Sequence, residues 1–194
     1  MSDSPITLVE NILPIPEFQY FANQLMTSDS YACRDFATYT TEADGSILQF
    51  GQNTTEPVKL HESCMENLIF VDYFTHKLTH NIYYKLKPQF DLLKKLLNVK
   101  DWLLLRANCL LGASENFVGS WHTDLGRHIH EDKSKTAVLY LNSNNGGTKF
   151  KESGSFVQSQ ANRCVVFKGT TEHAGVWATD KKLRFVLNMN YTEK

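Results

Sequence analysis

This sequence of 194 residues lacks the features that would assign it to several special classes. Its four cysteines, Cys33, Cys64, Cys109 and Cys164, form no Cys-x-x-Cys pair and are too sparse for a disulfide-rich secreted domain. We therefore interpret them as reduced thiols, most of which fill the core. No stretch approaches the roughly 18 apolar residues of a membrane span, and the start, Met-Ser-Asp-Ser-Pro, lacks the basic and apolar run of a signal peptide. A formal net charge of −1 provides no basic excess for nucleic acid. These absences favour a cytoplasmic protein and argue against membrane and nucleic-acid partners.

The composition and the length of the sequence are typical of a soluble globular protein. An apolar fraction of 42% and a charged fraction of 21% are ordinary for a globular protein. The length suits one domain with a full core, so we expect a single domain over residues 1–194. Its pattern changes near residue 100. Residues 1–100 are expected to be mainly helical support, and residues 101–192 a β core.

Apolar spacing predicts helices in the first part. Residues 14–26 begin with prolines suited to a helix entrance and continue with apolar residues three and four apart. Residues 63–86 carry a similar stripe that predicts a long amphipathic helix, which Pro88 should interrupt, and a further short helix is predicted over 90–97. The stripe of the long helix consists of Leu68, Val71, Phe74, Leu78 and Ile82.

A hairpin is predicted between the first two helices. Residues 39–50 form two short strand patterns around Asp44-Gly45, a dipeptide that favours tight hairpin turns. The polar stretch 51–57 follows. Together these residues are either a flap over a substrate cavity or a simple connection.

Short strands punctuated by turns fill the second part. Close spacing of this kind predicts a double-sheet barrel or jelly roll, with the N-terminal helices covering one sheet, and hence an α+β fold. The predicted strands are 102–110, 117–123, 135–142, 147–151, 155–158, 163–168, 173–177 and 182–191.

A candidate metal site lies in the sequence Trp121-His122-Thr123-Asp124. On a strand, positions i and i+2 share a face, so His122 and Asp124 point into one cavity. His173, after the turn Gly169-Thr170-Thr171, is placed to supply a third ligand. Two histidines and one carboxylate leave three octahedral positions open, which is the arrangement of non-haem iron oxygenases.

Other histidines of the sequence are interpreted as surface residues rather than as metal ligands. His76 and His80 are four apart on the predicted long helix, a spacing that can bind zinc, but no third ligand is apparent and a solvated helix face is favoured. His128 and His130 belong to a charged stretch that we interpret as an exposed loop.

A candidate anion site involves Arg184. It alternates with apolar residues over 183–190, so its face meets either water or the barrel interior. An interior arginine requires an anion, and its guanidinium fork matches a carboxylate, such as the distal group of a dicarboxylic co-substrate. Tyr140 is the expected helper on a neighbouring strand, and a half-buried structural tyrosine is the alternative.

At these residues the sequence resembles the prolyl-4-hydroxylase-like branch of the iron(II)/2-oxoglutarate dioxygenases, in particular its short single-domain bacterial and phage members. The resemblance covers about residues 101–192, and its order and spacing are more specific than any single motif. The motifs are His122-Thr-Asp124, Thr136-Ala-Val-Leu-Tyr140-Leu-Asn142, Asn145-Gly-Gly-Thr-Lys-Phe150, Asn162-Arg-Cys-Val-Val-Phe167, His173 and Arg184.

This resemblance implies a double-stranded β-helix in which His122, Asp124 and His173 hold iron(II). Arg184 and Tyr140 would bind the C5 carboxylate of 2-oxoglutarate. The family uses O2 and converts 2-oxoglutarate to succinate and carbon dioxide while it hydroxylates a substrate, and ascorbate commonly keeps its iron reduced.

Comparison with individual branches of the family narrows the range of expected activities and substrates. The region 109–113 lacks a tyrosine that many eukaryotic prolyl hydroxylases place there, and the end of the chain lacks the second arginine and the threonine of the alkylated-base repair branch. Asp124 separates the chain from iron halogenases, which have a small residue at that position. We predict a protein or peptide hydroxylase, with prolyl favoured. The alternatives are a hydroxylase of a free amino acid or other small molecule, and a non-catalytic jelly-roll binding module.

Overall fold

The computed structural model describes residues 6–27, 32–33, 39–41, 47–49, 58–59, 67–73, 81–124 and 134–194, and the side chains of 6–27, 83–124 and 134–194. The helices in these ranges are α1 (Ile15–Met26), α2 (Asn81–Lys85) and α3 (Lys87–Leu96). The strands are β1 (Thr7–Val9), β2 (Ala32–Cys33), β3 (Tyr39–Thr41), β4 (Ile47–Gln49), β5 (Val58–Lys59), β6 (Asn67–Tyr73), β7 (Val99–Leu111), β8 (Ser134–Tyr140), β9 (Gly147–Phe150), β10 (Phe156–Gln158), β11 (Cys164–Lys168), β12 (His173–Val176) and β13 (Leu183–Glu193).

The strands form antiparallel sheets of different size. The major sheet has seven strands in the order β1-β11-β8-β13-β7-β6-β2, and the minor sheet has three in the order β10-β9-β12. A further three-stranded sheet has the order β3-β4-β5. β13 is central to the major sheet, and its Val186 lies opposite Tyr140 of β8 and Asn108 of β7. Directly opposed residues of antiparallel strands share a face, so this register fixes which side chains meet.

One face of the major sheet is covered by the helices. Apolar side chains of α1 and α3, spaced three and four apart, pack with alternate residues of β7, β8 and β13 in one cluster. The prediction that N-terminal helices pack on one sheet is therefore confirmed. The fully buried members of the cluster include Leu13, Phe21, Leu86, Leu93, Leu139, Leu187 and Met189.

The opposite face of the major sheet packs against the minor sheet. Its cluster contains the intervening residues of β8 and β13, so the alternation in sequence separates two cores. We call this side of the major sheet the inner face. The members of the cluster are Val138, Tyr140, Phe150, Val157, Val165, Phe167 and Val186.

The predicted helices near Pro14 and Phe90 are confirmed. α1 starts after Pro14 with a second proline in its first turn, where a missing N–H removes no helical hydrogen bond. Pro88 lies in the first turn of α3, and a break at Leu86 separates α3 from α2. Pro88 thus lies at the start of α3, whereas the sequence suggested that it would interrupt a longer helix.

Of the predicted helix over 63–86, residues 81–85 are helical and form α2, whereas the prediction is wrong at 67–73. Residues 67–73 are instead the strand β6, which pairs with β7 from Asn67↔Leu110 to Tyr73↔Leu104. The helical stripe was ambiguous because Leu68, Ile69, Phe70 and Val71 are all apolar, and a short continuous apolar run suits a buried strand equally well. The expectation of a mainly helical first part fails here for the same reason.

The predicted strands of the second part are confirmed with one exception. Residues 117–123 form only isolated bridges, Val118↔Val176 and His122↔His173, rather than a continuous strand. The hairpin predicted over 39–50 is also confirmed, since β3 and β4 pair from Tyr39↔Gln49 to Thr41↔Ile47. Residues 50–57 and their role as a flap lie outside the described residues.

Two further predictions were that the cysteines are reduced thiols, most of them in the core, and that no segment spans a membrane. Cys109 and Cys164 are free and buried, and burial raises the pKa of their thiols to about 11 and about 12. No helix within the described ranges is long and apolar enough to cross a membrane.

Candidate functional site

Two histidines from distant parts of the chain face each other at the edge of the minor sheet. His122 and His173 exchange both backbone hydrogen bonds over 3.0 Å, and their ring centroids are 4.6 Å apart. Because directly bridged residues point to the same side, both imidazoles lie on one face. The isolated bridge thus orients the side chain of His122 towards His173, as the predicted strand over 117–123 was expected to do.

Asp124 completes a cluster with these histidines. Its Oδ1 lies 3.7 Å from Nε2 of His122, and its Oδ2 lies 3.6 Å from Nε2 of His173. One ligand atom from each residue lies within 4.8 Å of the others. The structure therefore brings together the three side chains that the sequence singled out, and we call them the triad.

Backbone carbonyls fix the orientation of both imidazoles. Nδ1 of His122 lies 2.8 Å from the carbonyl of Ser120, and Nδ1 of His173 lies 3.0 Å from the carbonyl of Thr171. A carbonyl can only accept, so each Nδ1 carries the proton and each Nε2 presents its lone pair. Both lone pairs face the Asp124 carboxylate. This is the orientation that a metal ion requires of histidine ligands.

Electrostatics favour the metal-binding protonation states of the two buried members. Burial lowers the pKa of His173 and so favours its neutral form, although the Asp124 carboxylate opposes this. Burial alone would raise the pKa of Asp124, but His173, His122, a hydrogen bond from Asn190 and the charge of Arg106 together lower it. A neutral imidazole beside an ionised carboxylate is a suitable pair of ligands for a divalent cation.

The triad is open on the side of His122. The His122 side chain is 35% exposed, whereas those of Asp124 and His173 are 5% and 4% exposed. Solvent or a ligand can therefore reach the centre past His122, while the other two side chains are held inside the protein.

Arg184 lies on the inner face, 3% exposed. Its Nε donates to Oγ of Ser159 over 3.0 Å and its Nη2 to the carbonyl of Gly147 over 2.9 Å, and it forms no ion pair with any described residue. Burial lowers its pKa to about 10. Two neutral acceptors hold this cation in place and leave three of its five N–H groups for an anion.

Tyr140 lies beside Arg184, as expected. The guanidinium carbon is 5.8 Å from the centre of the fully buried Tyr140 ring. The hydroxyl is 2.9 Å from Oγ1 of Thr148 and 3.2 Å from the carbonyl of Val157. Burial raises its pKa, so it is a neutral donor at ordinary pH. Its single proton serves one acceptor at a time, and a carboxylate would compete for it.

Asn190 and Thr136 were not predicted to take part in the site. Nδ2 of Asn190 donates to Oδ2 of Asp124 over 3.2 Å and to Oγ1 of Thr136 over 2.8 Å. Alternation had placed Asn190 on the same face as Arg184, but only the fold shows that this face meets Asp124. The other five histidines of the sequence lie outside the described residues: His61, His76, His80, His128 and His130.

Comparison with known proteins adds evidence on the fold. No protein-family model and no curated protein matches the sequence. A Pseudomonas putida prolyl-4-hydroxylase matches at a TM-score of 0.54 and 17% identity, over 97% of this chain and 92% of the other. A Trichoplax adhaerens prolyl hydroxylase, in complex with a hypoxia-inducible-factor peptide, matches at a TM-score of 0.57 and 11% identity, over 97% and 83%. The chain has the prolyl-hydroxylase fold.

A third similar structure is HygX from Streptomyces hygroscopicus, which contains nickel and 2-oxoglutarate. It matches at a TM-score of 0.57 and 11% identity, over 97% of this chain and 83% of the other. The resemblance found in the sequence is thus confirmed at the level of the fold. Within this prolyl-hydroxylase fold, the triad lies between the sheets, because His173 belongs to β12 and Asp124 is bonded to Asn190 of β13.

Proposed function

We propose that this protein is an iron(II)- and 2-oxoglutarate-dependent dioxygenase that hydroxylates its substrate. Residues 1–194 would form one dioxygenase domain, and the major and minor sheets would be the two sides of a double-stranded β-helix. The observation that carries the proposal is the triad, in which two imidazole Nε2 atoms, each freed by an Nδ1–carbonyl hydrogen bond, converge on one buried carboxylate.

The triad suits an octahedral metal ion. Bonds of about 2.0–2.2 Å at right angles would place neighbouring ligand atoms about 3 Å apart. The two Nε2 atoms lie 3.7 and 3.6 Å from different oxygens of Asp124, and one ligand atom from each residue lies within 4.8 Å of the others, so binding would draw the ligand atoms together by less than about 2 Å. Three protein ligands leave three coordination positions. His122, Asp124 and His173 would hold iron(II), and the exposed side at His122 would admit the co-substrates.

Arg184 suits a dicarboxylic co-substrate. A nearly fully buried guanidinium without a carboxylate partner among the described residues is costly until an anion neutralises it. We infer that it binds the C5 carboxylate of 2-oxoglutarate, with Tyr140 as a second donor. The nickel and 2-oxoglutarate in HygX, a protein of the same fold, support this assignment.

Bound iron(II), 2-oxoglutarate and O2 supply the oxidant for the hydroxylation. One oxygen atom of O2 enters the substrate C–H bond as C–OH, and the other enters succinate as 2-oxoglutarate loses carbon dioxide. The protein's own residues orient these groups. The backbone carbonyls hold the histidines, Asn190 holds Asp124, and Arg184 fixes the far end of the co-substrate. Ascorbate would act as a reductant for the iron.

For the substrate we keep the class that the sequence predicts. We propose a protein or peptide substrate, with prolyl favoured, and a cytoplasmic location. The peptide in the Trichoplax adhaerens complex supports a peptide substrate for this fold. A free amino acid or another small molecule is the alternative within the same chemistry.

The test separates catalysis from a non-catalytic binding module. Purified protein with iron(II), ascorbate and 2-oxoglutarate is assayed for succinate, and Mn²⁺ binding is measured by electron paramagnetic resonance. Asp124→Ala is compared with Asp101→Ala, which removes an exposed carboxylate on β7. We expect Asp124→Ala alone to lose both Mn²⁺ binding and succinate formation. Succinate formation by Asp124→Ala at the wild-type rate would refute the proposal.

A further inference from the structure

A second polar group lies on the inner face, beside the triad. Arg106 and Asn108 project from β7, and Asn188 projects from β13 directly opposite Arg106. Asn108 lies opposite Val186, which belongs to the cluster between the sheets, so the three side chains share the inner face. We call these three residues the polar patch.

The patch is close to Asp124. Asn188 is two residues before Asn190 on β13, a separation of about 7 Å along a strand, and Asn190 is bonded to Asp124. The charge of Arg106 also contributes to the lowered pKa of Asp124. The patch is therefore adjacent to Asp124, within reach of a substrate held beside the proposed metal.

The side chains of the patch have unused hydrogen-bonding groups. All three are half-buried, and none forms a hydrogen bond or an ion pair with another residue in the described part of the chain. Nε of Arg106 is buried and lacks a partner. Native proteins seldom leave a buried donor unsatisfied, and an unpaired cation beside a core is costlier still. Donors arranged in this way indicate a ligand.

Arg106 and Arg184 differ in their surroundings. Arg184 is held by Ser159 and Gly147 and lies four residues, about 13 Å, from Asn188 along β13. An anion bound to Arg184 therefore leaves Arg106, on the next strand, with the more distant charge of Asp124 but with no ion pair among the described residues. One arginine suits the co-substrate, and the other remains for a second anionic group.

We propose that Arg106, with Asn188 and Asn108 beside it, binds a carboxylate of the substrate and so selects carboxylate-bearing substrates for hydroxylation. This inference rests on the proposed dioxygenase function. The planar guanidinium fork binds a carboxylate through two parallel hydrogen bonds, and the two amides can donate to it or accept from a neighbouring N–H group. The carboxylate belongs either to a free amino acid or to an acidic residue of a peptide.

The experiment uses probes in matched acid and amide pairs. One arm contains free amino acids, proline included, and their α-amides. The other contains capped prolyl peptides with Asp or Glu next to proline and the same peptides with Asn or Gln. Turnover is scored by a mass gain of one oxygen. Binding is measured without turnover by anaerobic calorimetry on protein loaded with Mn²⁺ and 2-oxoglutarate.

We expect acidic probes from one arm to bind and to be hydroxylated, and their amides to bind at least tenfold more weakly. Arg106→Gln should weaken binding of the acidic probe at least tenfold, whereas Lys100→Gln, an exposed charge on the same strand, should change it less than twofold. Arg106→Lys keeps the charge but loses the planar fork, so it should bind the acidic probe with intermediate affinity. If Arg106→Gln does not fold, Arg106→Lys is the variant that tests the inference.

Three results would overturn the inference. They are equal binding of acids and amides, no binding of any acidic probe, and an Arg106→Gln variant whose only defect is a raised KM for 2-oxoglutarate. The last would make Arg106 the co-substrate anchor. Failure of the dioxygenase proposal looks different, because wild-type protein would then bind neither Mn²⁺ nor 2-oxoglutarate in the same calorimeter.

Discussion

Nδ2 of Asn190 donates a hydrogen bond to Oδ2 of Asp124 over 3.2 Å, and this bond joins two residues that are 66 positions apart in the sequence. Asn190 is fully buried and is itself held by Thr136 of β8 over 2.8 Å. The carboxylate of the triad is thus oriented from the central strands of the major sheet. Hydrogen bonds to the ligands of a metal ion fix their geometry and tune their affinity.

Asn190→Leu should lower the affinity for Mn²⁺ about tenfold, because it removes the amide donor from Asp124 and keeps a similar volume. Titration of Mn²⁺ by electron paramagnetic resonance measures this affinity. Equal Mn²⁺ affinity in wild type and Asn190→Leu would show that the bond has no effect on the metal site.

Arg184→Gln should raise the KM for 2-oxoglutarate on the order of 30-fold or more, since a buried carboxylate–guanidinium pair contributes about 2 kcal/mol or more. Steady-state succinate formation over a range of 2-oxoglutarate concentrations measures this. Arg163→Gln is the matched control, because Arg163 also donates to a backbone carbonyl but is paired with Glu10. A KM unchanged in Arg184→Gln would place the anion site elsewhere.

The affinity for 2-oxoglutarate should depend on pH through Arg184. Burial lowers the pKa of Arg184 to about 10 in the free protein. The cation binds the carboxylate, so affinity should be constant near neutral pH and fall as the pH rises through about 10, when the free guanidinium loses its proton. Equilibrium binding of 2-oxoglutarate to the Mn²⁺ form measures this. Arg184→Gln should bind weakly and show no such fall.

The arrangement of the site was largely predictable where it depends on local spacing. His122 and Asp124 are two residues apart, and Arg184 alternates with apolar neighbours, so period-two reasoning placed each on a face. The contact between Asn190 and Asp124 was not predictable, because it depends on how β13 lies against the segment after His122. Such a contact requires the register of the sheet, which no local pattern contains.

The fold was predictable from strand spacing, except where tertiary pairing decides the structure. Residues 67–73 have apolar residues at every position from 68 to 71, which fits a helix or a buried strand. β7 is 13 residues long and has an edge beyond β13 that needs a partner, and 67–73 supplies it. Local propensity could not reveal that requirement.

Asn162 connects the segment before α1 to the turn before β11, and its replacement should destabilise the fold. Its Oδ1 accepts from the Leu13 N–H over 3.1 Å, its Nδ2 donates to the Leu13 carbonyl over 2.7 Å, and its φ is 67°. Asn162→Ala should lower the free energy of unfolding by about 2–4 kcal/mol, because it loses both bonds and keeps a strained left-handed backbone. Asn162→Gly loses the same bonds without that strain and should be about 1 kcal/mol less destabilised. Urea unfolding measures both variants. If Asn162→Ala were as stable as wild type, Leu13 would not depend on this residue, and the position of α1 on the major sheet would have to come from apolar packing alone.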